Sequence, residues 1–595
     1  MRMSNAKDTA ISTWQSCDCW AFLFAFAVTG SASAARMVDD RLISQANQLH
    51  GTALVELVIV TLVFALLLGI AVSWLFKKID RIRSIEEERR SKNAPPPRAL
   101  IIKQAALILA LWLIWFVLRF PGNTDPDTEI ELLEYYGLMQ ANNHHPWFDT
   151  MLFGVFWNIG NCLGSNWWSV GLWAAFQSIA TALALSTSIW YARYVGVKSL
   201  YAWIASVFVG VMPIYPTLAQ TMAKDMIFGW LWVLYALLYT ETLRTRGALL
   251  NRRWAIAAWI GLGICLALTK KTGIYLMIAT GILSICVNRF ARLQQLSTLV
   301  AIALFYYVIW SAIVLPSWNI EPGNDEQEMQ SIPSQQTALI LRSKAANLTE
   351  ADWALLNEVY DDPELMAADY NPLRSDETKQ HYRQGIPVST KLTYLAWMAQ
   401  CVVRFPDAFF AAPLATCYPL FGIDSWVEFR GKERLGVMFI YEYTGVAPDG
   451  NERIIQQWSD WSSGLSTPEE VKEVLKGAFR TPEQQRLTDT ADGVYLALAD
   501  CLPILLSKAL WLTWIPAFIV AYLLRKKDIC GLLALAPHAL VYATLIIGPI
   551  VLTRYCTATI YSLPLMLTLL LAPSLTQTRK RQNPTTRACQ LLSQQ

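Results

Sequence analysis

Residues 53–76 read ALVELVIVTLVFALLLGIAVSWLF, with Glu56 as their one charged side chain. A run of that length meets the requirement of about 20 apolar residues for an α-helix to cross a hydrocarbon core. Further runs lie near 20–36, 98–119, 167–190, 199–216, 226–242, 254–269, 273–288, 296–316, 500–524, 529–549 and 556–573, roughly twelve spans in all. The composition agrees: of 595 residues 54% are hydrophobic and only 16% charged, with a mean hydropathy of +0.32. A water-soluble domain could not easily hide that much apolar surface. The expected fold class is an all-α polytopic membrane protein with about 11–13 transmembrane helices.

Lys and Arg set the orientation. The linker carrying Lys77, Lys78, Arg81, Arg83, Arg89, Arg90, Lys92 and Arg98, with Pro95 to Pro97, is the densest basic segment and reads as cytoplasmic. Alternation then puts Arg193 with Lys198, Arg244 to Arg253, Arg289 with Arg292, Arg525 to Lys527 and Arg579 to Arg581 on that same side. Residues 120–166 and 317–499 fall on the other. The expected division is an N-terminal unit with a basic linker (1–99), a transmembrane core (100–316) whose first outer loop is 120–166, an α-rich extracytoplasmic domain (317–499) inserted before the last three helices, C-terminal helices (500–574) and a cytoplasmic tail (575–595).

The extreme N-terminus admits two readings. Ala21 to Ala35 has the short apolar run and small-residue ending of a signal peptide. Weak leading charges, Arg2 and Lys7 diluted by Asp8 and Asp18, favour an uncleaved first span.

Several function classes drop out. The net charge of +3 comes without a basic stripe or a nucleic-acid motif, so no nucleic-acid partner is expected. The 11 cysteines are scattered, and Cys17 and Cys19 lack metal-site or thioredoxin-like spacing. Cys401 and Cys417 share the large polar region and can form a disulfide if it is extracytoplasmic. Asn347-Leu348-Thr349 is a formal glycosylation triplet of a kind common by chance.

Chemistry concentrates at one face. The first outer loop opens Phe120-Pro121-Gly122-Asn123-Thr124-Asp125-Pro126-Asp127-Thr128-Glu129 and continues to Asn142-Asn143-His144-His145-Pro146-Trp147. An aromatic amphipathic stretch, Phe148 to Leu163, suits a helix along the membrane surface. A solvated acidic turn before an interfacial helix would account for this loop equally well. What favours function is a set of cations at outer span ends, where the positive-inside bias disfavours them: Lys224, Lys270, Lys271 and Arg554. Arg holds phosphate bidentately and Lys as a point charge, although a lone lysine can simply snorkel to the interface. Glu56 and Lys508 are read as residues that reach the interface without a catalytic task. Trp147, Trp167 and Trp168, among 25 tryptophans, lie close enough to the loop to stack on a sugar, or belong to the interfacial belt.

In these residues the chain resembles the GT-C superfamily of integral membrane glycosyltransferases, in its bacterial branch dependent on polyprenyl-phosphate sugars. The resemblance covers roughly residues 100–573. It rests on Asp125-Pro126-Asp127, His144-His145-Pro146, Lys224-Asp225, Lys270-Lys271-Thr272-Gly273 and Arg554-Tyr555, in that order and topology. A group of uncharacterised membrane proteins shows the closest pattern, with Pro-Gly, Asp and His-Pro in the first loop and Ile332-Pro333-Ser334-Gln335-Gln336 early in the large one. The resemblance implies sugar transfer from a polyprenyl-phosphate-linked donor to an envelope glycan, lipid or protein outside the cytoplasm, with inversion, in a multi-pass protein of the plasma membrane.

It further implies a first-loop carboxylate as base: Asp127, supported by Asp125, or the two reversed. His144, His145, Lys224, Asp225, Lys270, Lys271, Arg554, Tyr555 and Gln335 are the implied substrate-binding residues. His144-His145 can also cap the following helix. A divalent metal, Mg or Mn on Asp125 and Asp127, stays open. The rival reading is a transporter or flippase for lipid-linked sugars, although transporters place ionisable groups near the bilayer midplane, often with repeat symmetry, and no sequence repeat is evident.

Overall fold

A computed structural model describes residues 18–90, 95–288, 291–323, 325–423, 426–428, 432–434, 452–478 and 480–573. Arg2, Lys7, Asp8, Cys17, Lys92, Arg289, Phe479 and the tail 575–595 with Arg579 to Arg581 lie outside the described residues.

The α-helices of eight residues or more run α1 (Cys19–Val38), α2 (Thr52–Arg90), α3 (Ala99–Leu118), then, after strand β1 (Asn123–Thr124), α4 (Pro126–Tyr135), α5 (Trp147–Cys162), α6 (Asn166–Tyr194) and α7 (Ser199–Val211). Strand β2 (Thr221–Met222) leads to α8 (Lys224–Arg244), α9 (Arg253–Thr269), α10 (Lys271–Val287) and α11 (Arg292–Leu304). Next come α12 (Ser331–Lys344), α13 (Glu350–Val359), α14 (Val388–Arg404), α15 (Pro406–Thr416), a small hairpin β3 (Trp426–Glu428) and β4 (Lys432–Arg434), α16 (Glu452–Trp461) and α17 (Pro468–Leu475). The chain closes with α18 (Pro482–Cys501), α19 (Ile515–Arg525), α20 (Ala536–Ile547) and α21 (Thr557–Leu571).

Among the described residues the regular structure is therefore helical apart from two short ladders. Among the described residues seven helices are long and apolar enough to cross a membrane: Cys19–Ile43, Thr52–Ile85, Ala99–Leu118, Trp167–Tyr194, Lys224–Arg244, Arg292–Ser317 and Arg554–Leu571. Five shorter apolar helices accompany them. This is the make-up of a membrane protein.

Prolines trim two runs expected to be longer. The stretch 199–216 breaks at Met212 and Pro213, so that its helix ends at Val211 and a separate short helix, Ile214–Ala219, follows. The stretch 500–524 becomes a continuous apolar helix only from Ala509, after Leu502 and Pro503 interrupt the polar helix α18.

Helices α8 and α21 form the centre and α2 the rim. Trp232, Tyr235 and Tyr239 of α8 are wholly buried, while Val55, Ile59, Phe64 and Ile70 of α2 are exposed. Lipid gives apolar surface no reason to leave it, so the inner helices are joined by packing and polar contacts. Tyr235 and Thr280 share a hydrogen bond of 2.6 Å, and the Tyr215 hydroxyl donates to the Ile560 carbonyl at 3.2 Å.

Helices α12 to α15 surround a separate core that includes Ile340, Leu356, Met366, Cys401 and Ala412. Thr349, in the glycosylation triplet, caps α13 through a reciprocal pair with Asp352. Cys401 and Cys417 are free thiols in two different apolar clusters, not a disulfide. Lys508 also departs from expectation. Its ammonium is buried and donates to the Val551 carbonyl at 2.9 Å instead of reaching an interface. Glu56 is exposed on α2.

Candidate functional site

The acidic loop is held by backbone pairing. Gly122 has φ +126°, and a Cβ there would approach the Gln220 carbonyl to 2.8 Å, so only glycine permits this turn at this distance. β1 then runs parallel to β2, with Asn123 opposite Thr221 and Thr124 opposite Met222. This register sets Asp125 and Lys224 at neighbouring exits. Asp125 caps α4 by accepting the Asp127 amide at 3.0 Å, and Thr128 donates to the Met222 carbonyl at 2.5 Å. Lys224 and Asp225 open α8.

Charged side chains from four parts of the chain meet here. Arg554 forms ion pairs with Asp125 and, at 3.1 Å, with Asp127. Lys224 Nζ lies 2.8 Å from the same Asp127 oxygen and donates to His145 Nδ1 at 2.5 Å. Lys270, at the corner between α9 and α10, pairs with Asp225 at 2.5 Å and stands 5.0 Å from the centre of the Tyr555 ring. Arg554 also donates to the Tyr555 hydroxyl at 3.2 Å. Asp127, Asp125, His145, Lys224, Asp225, Lys270, Arg554 and Tyr555 thus form one cluster.

Asp125 and Asp127 differ. Burial pushes Asp125 up to about 6 despite Arg554. Burial also raises Asp127, but Arg554 and Lys224 outweigh it and hold that carboxyl well below the usual range. Asp127 keeps 23% of its side chain exposed against 2% for Asp125, so Asp127 is the more accessible carboxylate. Burial and the Lys224 ammonium hold His145 well below its ordinary value. The imidazole is neutral, and with Nδ1 accepting from Lys224 its proton sits on Nε2.

Three further carboxyls were not singled out from the sequence. Asp127, Glu131 and Glu134 fall at i, i+4 and i+7 and share one face of α4, a spacing visible in the sequence once Pro126 is taken as a helix start. Glu131 Oε1 lies 3.8 Å from Lys224 Nζ, and Asp149 of α5 adds another wholly buried carboxyl. Burial drives Glu131 and Asp149 well above the ordinary range and Glu134 to about 8. Among the described residues neither Glu131 nor Asp149 has a hydrogen-bond partner.

Other expected site residues stand apart. Lys271 pairs with Asp325. His144 is exposed, its ring 4.7 Å from that of His145, and Gly323 fits so tightly that a Cβ would lie 2.6 Å from Lys271 Nζ and 2.7 Å from the His144 backbone. Gln335 does not join the cluster. Its amide is consumed within the α12–α15 segment, donating to the Asn371 and Arg374 carbonyls at 2.6 and 3.0 Å. Trp147 is buried against Leu315 and Ile320, while Trp168 is half exposed.

A divalent metal does not fit Asp125 and Asp127. Arg554 bridges both carboxylates, Lys224 holds the second, and His145 already accepts from Lys224. A dication would face two fixed cations across the same oxygens. Among the described residues no group of three or more His, Cys, Asp or Glu side chains is arranged to hold a metal ion.

Residues 139–587 match the model of a protein family described as a family of unknown function, DUF6020. That segment includes His145, Lys224, Asp225, Lys270, Arg554 and Tyr555 and begins after Asp125 and Asp127. No curated protein and no solved structure matches.

Proposed function

For this chain, which belongs to the DUF6020 family of unknown function, we propose transfer of a sugar from a polyprenyl-phosphate donor to an envelope acceptor, at the extracytoplasmic face of the cell membrane. One observation carries the reading: Asp127, the accessible carboxylate, touches Arg554 and Lys224 at once. A carboxylate that can serve as base and two cations that can bind phosphate are thereby held together at the ends of apolar helices. A wholly apolar cavity of about 630 Å³, lined by Trp203, Val211, Leu498 and Leu505 among others, supports a lipid-linked donor because it suits an isoprenoid chain.

The chemistry follows from charge. A donor phosphate competes with Asp127 for Arg554 and Lys224, and Lys270 beside Tyr555 adds a third cation. As those cations turn to phosphate, Asp127 loses the attraction that suppresses its basicity. Asp127 then takes the proton from the acceptor hydroxyl while its oxygen bonds to the anomeric carbon. The bond from that carbon to the phosphate oxygen breaks on the opposite side, giving inversion, and polyprenyl phosphate leaves with its charge neutralised. Asp125 positions the base, capping α4 and anchoring Arg554.

Asp127→Asn tests the assignment in membranes supplied with polyprenyl-phosphate sugar. Transfer should fall at least about 100-fold, the usual contribution of a general base, with insertion unchanged. Retained transfer removes Asp127 as the base.

A second reading, movement of a lipid-linked sugar coupled to protons, draws on Glu131, Glu134 and Asp149, because buried protonated carboxyls beside a lysine suit a proton relay. Reconstituted vesicles separate the two. Translocation without glycosyl transfer favours transport.

A further inference from the structure

A second polar cavity, of about 790 Å³, lies between the end of α5, the start of α6 and the segment joining α17 to α18. Tyr136, Trp157 and Trp167 supply aromatic walls, and Arg480, Lys476 and Thr481 supply polar groups.

Arg480 is only 2% exposed. Its Nη2 donates to the Gly122 carbonyl at 2.6 Å and to Asn123 Oδ1 at 2.5 Å. Among the described residues its Nε and Nη1 have no hydrogen-bond partner. The neighbouring buried cation, Arg119, donates to the same Asn123 oxygen at 3.2 Å and is ion-paired with Asp492. Two guanidiniums thus converge on one amide oxygen, and Asp492 is ion-paired with Arg119. Burial and Arg119 push Arg480 down to about 10, which leaves it charged at neutral pH. A buried cation with two idle donors is unfavourable unless a counter-charge joins it.

The cavity wall around Arg480 suits such a counter-charge. Lys476 carries a second positive charge, its side chain 70% exposed and loosely paired with Glu473 at 3.7 Å. Thr481 and Pro482 bring the N-terminus of the 20-residue helix α18, whose dipole favours an anion. A guanidinium fork matches phosphate geometry.

We propose that this cavity is a phosphate-binding site, separate from the Asp127 cluster and linked to its loop through the Arg480 bonds to Gly122 and Asn123. The site stands whatever reaction the cluster performs.

Thermal unfolding of the full chain in detergent, with inorganic phosphate against chloride at equal ionic strength, tests it. Phosphate should raise the midpoint by several degrees. Lys476→Glu, at an exposed position that leaves folding intact, should weaken the apparent phosphate affinity several-fold, and Arg480→Gln should abolish the response. An equal response in Lys476→Glu overturns the site, as does equal stabilisation by chloride. The source of the phosphate is read from nanodiscs. Stabilisation by phosphatidic acid over phosphatidylcholine, absent in Lys476→Glu and with inorganic phosphate inactive, assigns a lipid head group. No stabilisation by either form also overturns the proposal.

Discussion

Arg554 Nη1 lies 3.1 Å from Asp127 Oδ2, although 427 positions of sequence separate the two residues. The contact ties the turn before α21 to the first turn of α4, so an early loop and the last apolar helix depend on each other. Because Arg554 also holds the buried Asp125, it has a structural task as well as its proposed place opposite a phosphate.

Arg554→Gln should therefore damage both folding and transfer. Leaving Asp125 unpaired in a buried site costs about 3–5 kcal/mol, enough to lower the yield of folded protein. Adding Asp125→Asn removes the orphaned charge and should restore most of the thermal stability without restoring transfer. Recovery of both by the double variant would show that Arg554 has no role beyond folding.

Lys270→Gln is expected to raise the KM for donor more than about tenfold while leaving kcat within a few-fold, because Lys270 meets Asp225 and Tyr555 and has no contact with the base. Steady-state kinetics with a soluble donor analogue reads the split. A selective fall in kcat would move Lys270 into the chemical step.

How the site was legible depended on spacing. Residues close together in sequence, such as Asp125 with Asp127 and Lys224 with Asp225, stand out because ionisable groups beside apolar spans are expensive. The 53–76 run and its counterparts gave the helical class for the same reason, since hydrocarbon length is a one-dimensional quantity. Glu131, Glu134 and Asp149 did not stand out, because their meaning depends on burial that only the packing of α4 and α5 creates. The partners of Lys508 and Gln335 are hidden from the sequence for the complementary reason: each spends its polar group on backbone carbonyls that the fold supplies, from Val551 for one and from Asn371 and Arg374 for the other.

Chelation should leave transfer intact. Arg554 and Lys224 hold the carboxylate oxygens a divalent ion would need, and both are proposed to provide the charge that such an ion would otherwise bring to the phosphate. Transfer measured with excess EDTA should stay within about twofold of the untreated value, a difference of less than about 0.5 kcal/mol in barrier. Loss on chelation, reversed by Mg or Mn, would require those cations to move aside.

Glu134 makes stability depend on pH. Below about 4.5, its ordinary value, the folded and unfolded chains both hold the proton; between there and about 8 the folded chain keeps a proton that the unfolded chain has lost. Stability must fall as pH rises through that window and level off above it, the opposite of a carboxylate stabilised by an ion pair. The hydrogen bond from Asn142 at 2.7 Å is compatible with a neutral Glu134 and with a glutamine in its place. Glu134→Gln should accordingly flatten the fall in unfolding midpoint between pH 5 and 8 and make the variant several degrees more stable than the parent at pH 8, with the residual slope coming from Glu131 and Asp149. Parallel curves for parent and variant would show that Glu134 is ionised in the folded protein, and a proton relay along α4 would lose that member.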